Sequence, residues 1–310
     1  MRVGRNERGS VLLLVLVIVA LLASLLTEFA FSTLVDIRLT ETFRDSSRAY
    51  YLAKGGIRVG RVLLQEDKNS YDAQGETWSL GVVNYPVGEG FVTIQIEDQG
   101  GKLDINRLVD TLGVNPNSVF IDRFNRFFDL LGLPEPEDLT AALIDWIDRD
   151  EEIYQGDGLG AESEYYQGLA RPYPCKNAPL DSLDELELIR GFTPEIVRLV
   201  RPHLTVHGGD EINVNTATAE VLMSLSADPE IDRTTAEDII ALREARPFMT
   251  SEDLKELNRL PGMDTLLRTS FAVTSPTYII SSWATVNDGS RSMEGVVRKS
   301  GDQLLFLKVN

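Results

Sequence analysis

Eighteen consecutive residues without a charge, Ser10 to Thr27, constrain this chain more than any other stretch. As a helix they rise ~27 Å, enough to cross the hydrocarbon core of a bilayer. Arg2, Arg5 and Arg8 precede them with only Glu7 in opposition, and Glu28 is the first charge after them. The positive-inside rule keeps that basic end in the cytoplasm, so a single pass carries the rest of the chain across.

Three kinds of segment share this pattern. A secretory signal needs small residues at a cleavage site after the apolar run. Leu25-Leu26-Thr27-Glu28-Phe29 offers none. A plain membrane anchor fits. So does a prepilin-type leader, which is short and basic, ends in Gly and is cut before the apolar helix. The cut would fall between Gly9 and Ser10 and the helix would be retained. Glycine suits a cut site because a peptidase can approach its backbone closely. The residues alone leave anchor and leader both open.

The charge balance narrows the partners. Thirty Lys and Arg stand against 48 Asp and Glu, a net charge of −18. Nucleic acid and anionic lipid both need clustered bases, so neither is expected as the main partner. Cys175 is the single cysteine, which excludes an intrachain disulfide. Together with only His203 and His207 it leaves little to build a zinc site.

Beyond Thr27 a helical period continues through Phe29, Leu34, Ile37, Phe43, Tyr50, Ile57 and Leu64. No proline occurs before Pro86, so one long helix to about Asn69 is expected, with Gly55-Gly56 as the place for any break. Trp78 to Val87 then reads as a strand or hairpin arm. Phe91 to Glu97 alternates, with Val92, Ile94 and Ile96 on one face. From Arg107 to about Phe271 the pattern is helical. Amphipathic segments are marked by Phe120 to Leu131, Leu139 to Ile147, Leu183 to Arg190, Pro194 to Val200, Ala217 to Leu225, Ala236 to Ala245 and Ser251 to Arg259. Leu103-Asp104-Ile105-Asn106 is echoed by Ile212-Asn213-Val214-Asn215, each at the opening of a helical set. Strand signals return at Tyr278 to Val286, Met293 to Arg298 and Leu304 to Val309. These are too short to stand alone. The economical solution pairs them with the strands near Phe91 and makes the helical block an insertion.

This order of parts resembles the type II secretion minor pseudopilin K family. The resemblance rests on Arg8-Gly9-Ser10 with its apolar run, on Gly100-Gly101-Lys102-Leu103-Asp104-Ile105-Asn106, on the acidic and aromatic stretch from Asp145 to Tyr166, and on Ile212-Asn213-Val214-Asn215-Thr216-Ala217. It implies an α+β fold: a pilin-like long N-terminal helix packed on a small antiparallel sheet, with a large all-helical domain inserted between strands. The expected parts are a prepilin leader (1–9), the transmembrane and amphipathic helix (10–69), a first part of the sheet (70–106), the insert (107–271) and a second part of the sheet (272–310).

The resemblance also implies a function: capping the tip of a periplasmic pseudopilus and supporting export of folded proteins across the outer membrane. The chain would be an inner-membrane protein held by Ser10–Thr27, with its bulk in the periplasm and no enzymatic role. Minor pseudopilins I and J, other pseudopilins and inner-membrane secretion components would be its partners, and a prepilin peptidase its processing enzyme. Leu14 stands at the fifth position after the cut, where most pilin-like proteins carry Glu to pair with a neighbour's terminal amine. Its absence is a trait of K-type subunits. Ser10 departs from the usual Phe or Met at the new N-terminus, where N-methylation would occur.

Two regions are candidates for binding. Between Asp145 and Glu164 lie eight carboxylates, with Arg149 the one base and Gly156, Gly158 and Gly160 between them. Oxygen ligands on a glycine-containing loop suit Ca²⁺, although a solvated acidic loop would look the same. The resemblance favours calcium, with Asp148, Asp150, Asp157, Glu162 and Glu164 as the candidate ligands. Ile212 to Gly262 also resembles helix-hairpin-helix units of competence-type DNA receptors, which makes a membrane-anchored DNA-binding protein the alternative. Such units hold phosphate with hairpin amides and nearby bases. The hairpin here is Ser226-Ala227-Asp228, and Asp210 to Phe271 carries thirteen acidic against six basic residues. No nucleic acid binding is expected. His203 and His207 lack a nucleophile motif, and Asp145 with Asp148 reads as a solvated acidic pair.

Overall fold

A computed structural model describes residues 7–226, 230–259 and 269–309. Helix α1 runs without a break from Glu7 to Glu66. Its first 34 residues, through Thr40, are exposed wherever their side chains are described. Burial begins further on, where Asp45, Ala49, Ala53, Ile57 and Leu64 turn one stripe towards a sheet. The Gly55-Gly56 pair does not interrupt the helix. A Cβ on Gly56 would collide with Ser282 and one on Gly60 with Ile280, whereas Gly55 faces open space. Gly56 and Gly60 therefore let the helix lie close on the sheet.

The helical turn α2 (Thr77–Leu80) occupies part of the stretch expected to be strand. Trp78 is its buried anchor. Its Nε1 donates to Glu76 at 2.9 Å and its ring meets Tyr278 edge to face. Strands β1 (Val82–Val87) and β2 (Gly90–Asp98) form a hairpin. Val92, Ile94 and Ile96 of β2 are buried, and Gln95 and Glu97 face water, as the alternation requires.

The insert follows. It contains β3 (Leu103–Asp104), α3 (Ser118–Leu130), α4 (Pro136–Ile147), α5 (Ser163–Gln167), α6 (Pro194–Val200), β4 (Leu204–Thr205), β5 (Ile212–Asn213), α7 (Ala219–Ser224), α8 (Arg233–Ala245) and β6 (Phe271–Ala272). The segments expected as helices near Leu183 and Ser251 are 3-10 helices, Leu183–Leu188 and Asp253–Arg259. The chain then returns through β7 (Thr277–Val286), β8 (Gly289–Arg298) and β9 (Gln303–Val309). The sheet order is β1-β2-β7-β8-β9, antiparallel throughout. Strands β2 and β7 pair along their whole length, from Gly90 with Val286 to Asp98 with Tyr278. The helical block is thus an insertion between two sheet neighbours, and each part has its own core.

The sequence echo has a structural meaning. β3 pairs in parallel with β4, and β5 with β6, so each helical half is opened and closed by a two-residue strand. In each half the motif's second residue, Asp104 or Asn213, accepts the amide two residues on: Asn106 N donates to Asp104 at 3.0 Å and Asn215 N to Asn213 at 3.1 Å. The motif's last Asn then clamps a distant backbone in both directions. Asn106 bonds Leu180 N and O, and Asn215 bonds Phe248 N and O.

A buried polar knot joins the insert to the sheet. The Asp98 carboxylate accepts from Gly100 N at 2.8 Å, Gly101 N at 3.2 Å, Asn213 Nδ2 at 3.2 Å and the Thr216 hydroxyl. Burial pushes its pKa up. A Cβ on Gly100 would strike Ser275 and one on Gly101 would strike Thr216, so the glycine pair admits this close approach. Beside it, Lys299 Nζ bridges Asp67 at 2.7 Å and Asp72 at 2.5 Å.

Candidate functional site

Helix α4 is buried along nearly its whole length, from Leu139 to Ile147. Asp145 lies inside that run with no exposed surface, and Asp148 ends the helix. Three residues apart, they share one face of the last turn. Glu162, at the start of α5, completes a buried trio in which each residue offers an oxygen within 4.8 Å of the others.

Four carboxylate oxygens of this trio are buried with no hydrogen-bond partner: Asp145 Oδ2, Asp148 Oδ1 and both of Glu162. The surroundings hold the groups in place without neutralising them. Asp145 Oδ1 accepts Tyr154 N at 2.8 Å, and the Cys175 thiol donates to the Asp145 carbonyl at 3.3 Å. Gly160 leaves the space beside Asp145 Oδ2 that a Cβ would fill. Burial, and after it repulsion from neighbouring carboxylates (Asp150 in the case of Asp145), raises Asp145 to about 6, Asp148 to about 7 and Glu162 to about 8. The negative end of α4 adds no relief for Asp145 and Asp148. Arg149, the loop's one base, lies over Gly113. Hard, anionic oxygens without a counter-charge are the donor set that suits a divalent cation such as Ca²⁺.

The structure brings Asp148 and Glu162 together and adds Asp145. It leaves Asp150, Asp157 and Glu164 exposed and outside the trio. Asp150 accepts the amide of Glu152 at 2.8 Å. Asp145, expected as part of a solvated acidic pair, is the most enclosed member. A carboxylate within Leu143-Ile144-Asp145-Trp146-Ile147 is the sequence signal that marks it. Glu151 stands nearby, accepting from Ser163 Oγ at 3.2 Å and Asn177 Nδ2 at 3.1 Å. A second acidic group, Asp67, Asp72 and Glu76, already holds the Lys299 ammonium and carries no comparable orphan oxygens.

The other candidates have structural duties. His203 Nδ1 bonds Thr218 Oγ1 at 2.8 Å and its ring meets Phe127 edge to face. Asn213 and Asn215 serve the knot and clamp above. In the helix-hairpin-helix-like block, Arg246 pairs with Asp253 at 2.8 Å, and Arg243 donates at 2.6 Å to the carbonyls of Val214 and Ala217. Of its hairpin, Ala227 and Asp228 lie outside the described residues, as do Gly262 and Arg2 and Arg5 of the expected leader. Gly9, Ser10 and Leu14 all lie in the exposed part of α1. That helix is the one span among the described residues long and apolar enough to cross a membrane.

Known proteins share this fold. A chain in the crystal structure of the GspK-GspI-GspJ complex from the enterotoxigenic Escherichia coli type 2 secretion system has the same fold. Its TM-score is 0.71 at 18% identity, with 87% of this chain and 99% of that one covered. Type II secretion system protein K of Pseudomonas aeruginosa is 29% identical over 269 residues, 83% of this chain and 78% of that protein. The Aeromonas hydrophila protein of the same name is 26% identical, with 98% and 97% covered. Two family models for type II secretion system protein K match residues 101–209 and 212–274, together more than half of the chain. Their boundary falls between β4 and β5, where the first helical half closes and the second opens, and by this match the chain belongs to the type II secretion system protein K family.

Proposed function

We infer that this protein is a minor pseudopilin that caps the tip of a periplasmic pseudopilus, anchored in the inner membrane by Ser10–Thr27. The observation that carries this reading is α1 between the membrane segment and the head. Phe29, Phe31, Leu34, Ile37, Leu39 and Phe43 are all exposed there, on a helix without a partner among the described residues. So much apolar surface in water asks for neighbouring helices. The solved relative belongs to a GspK-GspI-GspJ complex, and the corresponding minor pseudopilins I and J are the partners expected here.

Two further features favour the tip. The insert between β2 and β7 is bulkier than the sheet that carries it, which disfavours repetition in every layer of a close-packed fibre. Leu14 offers no carboxylate for an earlier subunit's amine. Ca²⁺, held by Asp145, Asp148 and Glu162, would supply the counter-charge that lets the acidic loop pack in one arrangement. In this reading the leader is removed by a prepilin peptidase between Gly9 and Ser10, and other pseudopilins and inner-membrane components meet the fibre below.

The test is co-expression of the full chain with minor pseudopilins I and J of the same host, followed by light scattering and N-terminal sequencing. We predict a complex with one copy of each, and a mature chain beginning at Ser10. A chain that remains monomeric with both, or a mature N-terminus at Met1, would remove the basis for this reading.

A further inference from the structure

The two edges of the sheet are unlike. Strand β1 is blunted by Pro86, by a left-handed Asn84 and by an irregular register between Val82 and Tyr85. Strand β9 has neither a proline nor a left-handed residue, and its one irregularity, opposite Val296 and Val297, lies in its pairing with β8. It pairs with β8 on one side, and among the described residues nothing pairs with the other. Its outward N–H and C=O groups are available for another strand.

The chemistry beside this edge selects what adds to it. Leu304, Leu307 and Val309 sit opposite Val297, Gly295 and Met293, on the face that α1 covers. They are 37%, 40% and 47% exposed because α1 stops short of β9. The opposite face is pinned to the insert by Lys308, whose Nζ meets Asp184 at 2.7 Å. On α1, Arg61 donates to Asp302 in the turn before β9, at 2.8 and 2.6 Å. Arg58 and Lys54 lie three and seven residues earlier, on the same side of the helix. Both are exposed, and neither has an ion pair among the described residues. An apolar floor, an open strand edge and two uncommitted cations thus run side by side in a chain of net charge −18.

We propose that β9 is a docking edge for an extended segment of an assembly partner, one that adds a sixth strand with apolar side chains on Leu304, Leu307 and Val309 and carboxylates facing Lys54 and Arg58. A second copy of this chain does not fit, since twofold pairing of two β9 edges would set the Lys54 and Arg58 stripes against each other. The inference rests on the reading that the chain assembles with other pseudopilins.

The experiment uses the full chain in detergent, alone and with minor pseudopilins I and J of the same host, and follows amide hydrogen exchange. In the complex, β9 amides should exchange about tenfold or more slowly, while the β1 edge is unchanged. Replacing Lys54→Glu and Arg58→Glu together should weaken the complex about tenfold, and the free variant should keep the wild-type exchange pattern. A complex that forms without protecting β9, or that tolerates the double replacement, overturns the docking edge and leaves the assembly intact. Failure to form any complex overturns both.

Discussion

Calcium at a hundredfold excess over its Kd should stabilise the detergent-solubilised chain by ~2.7 kcal/mol. For a head of this size that raises the thermal midpoint by roughly 5–10 °C, and a chelator should reverse it. The cause is the buried trio of Asp145, Asp148 and Glu162 with its four unpartnered oxygens. The sign of the pH effect follows from the raised carboxyls, at about 6, 7 and 8. The folded metal-free chain binds protons there more tightly than the unfolded chain does. Its stability from these groups is full below about pH 4, and is lost as pH rises through 6 to 8. Calcium should act most strongly at the upper end of that window. Asp145→Asn should lose most of the calcium response and, without metal at pH 8, be more stable than the wild type, because one buried like charge is gone. Superimposable melts with calcium and with chelator would leave the trio without a metal role.

Replacing Asp98→Ala should cost about 3–5 kcal/mol, measured by denaturant unfolding of the same preparation. Four donors converge on this carboxylate from Gly100, Gly101, Asn213 and Thr216. No cation is among them, so the knot is held by hydrogen bonds to a buried carboxyl group, and removing it strands the Gly100 and Gly101 amides, while Asn213 Nδ2 keeps Asp72 O at 2.9 Å and Ser275 Oγ at 3.0 Å. Asp98→Asn should cost less than Ala but remain destabilising, since its amide nitrogen meets donors. The control is Glu97→Ala one residue away. Glu97 is 59% exposed and pairs with Lys102 at 2.8 Å, and its loss should stay below about 0.5 kcal/mol. Equal effects at the two positions would mean that the knot does not join insert and sheet.

The layout of the chain was legible because its signals are local. The apolar run of α1, the alternation of β2 and the amphipathic period of α3 each report the surface against which they pack. The insertion was legible from the shortness of the returning strands, which need β2 to complete a sheet. In the sequence the paired LDIN and INVN motifs are only a four-residue echo. Their parallel two-residue strands and Asn clamps appear only when the far ends of each half return. The candidate metal site was half legible. Residue type marked the acidic stretch, but burial separates Asp145, Asp148 and Glu162 from Asp150, Asp157 and Glu164, and burial depends on how α5 folds back over α4. Trp78 was misread as strand because an aromatic beside β-branched residues favours that reading. Its bond to Glu76 and its seat against Tyr278 fix a helical turn instead.

The proposed place of this chain is one end of a fibre. It is tested most directly by labelling this chain in intact pseudopili assembled in the native host and locating the label by electron microscopy. One label per fibre is expected, at the tip distal to the membrane. Label recurring along the fibre's length would contradict it.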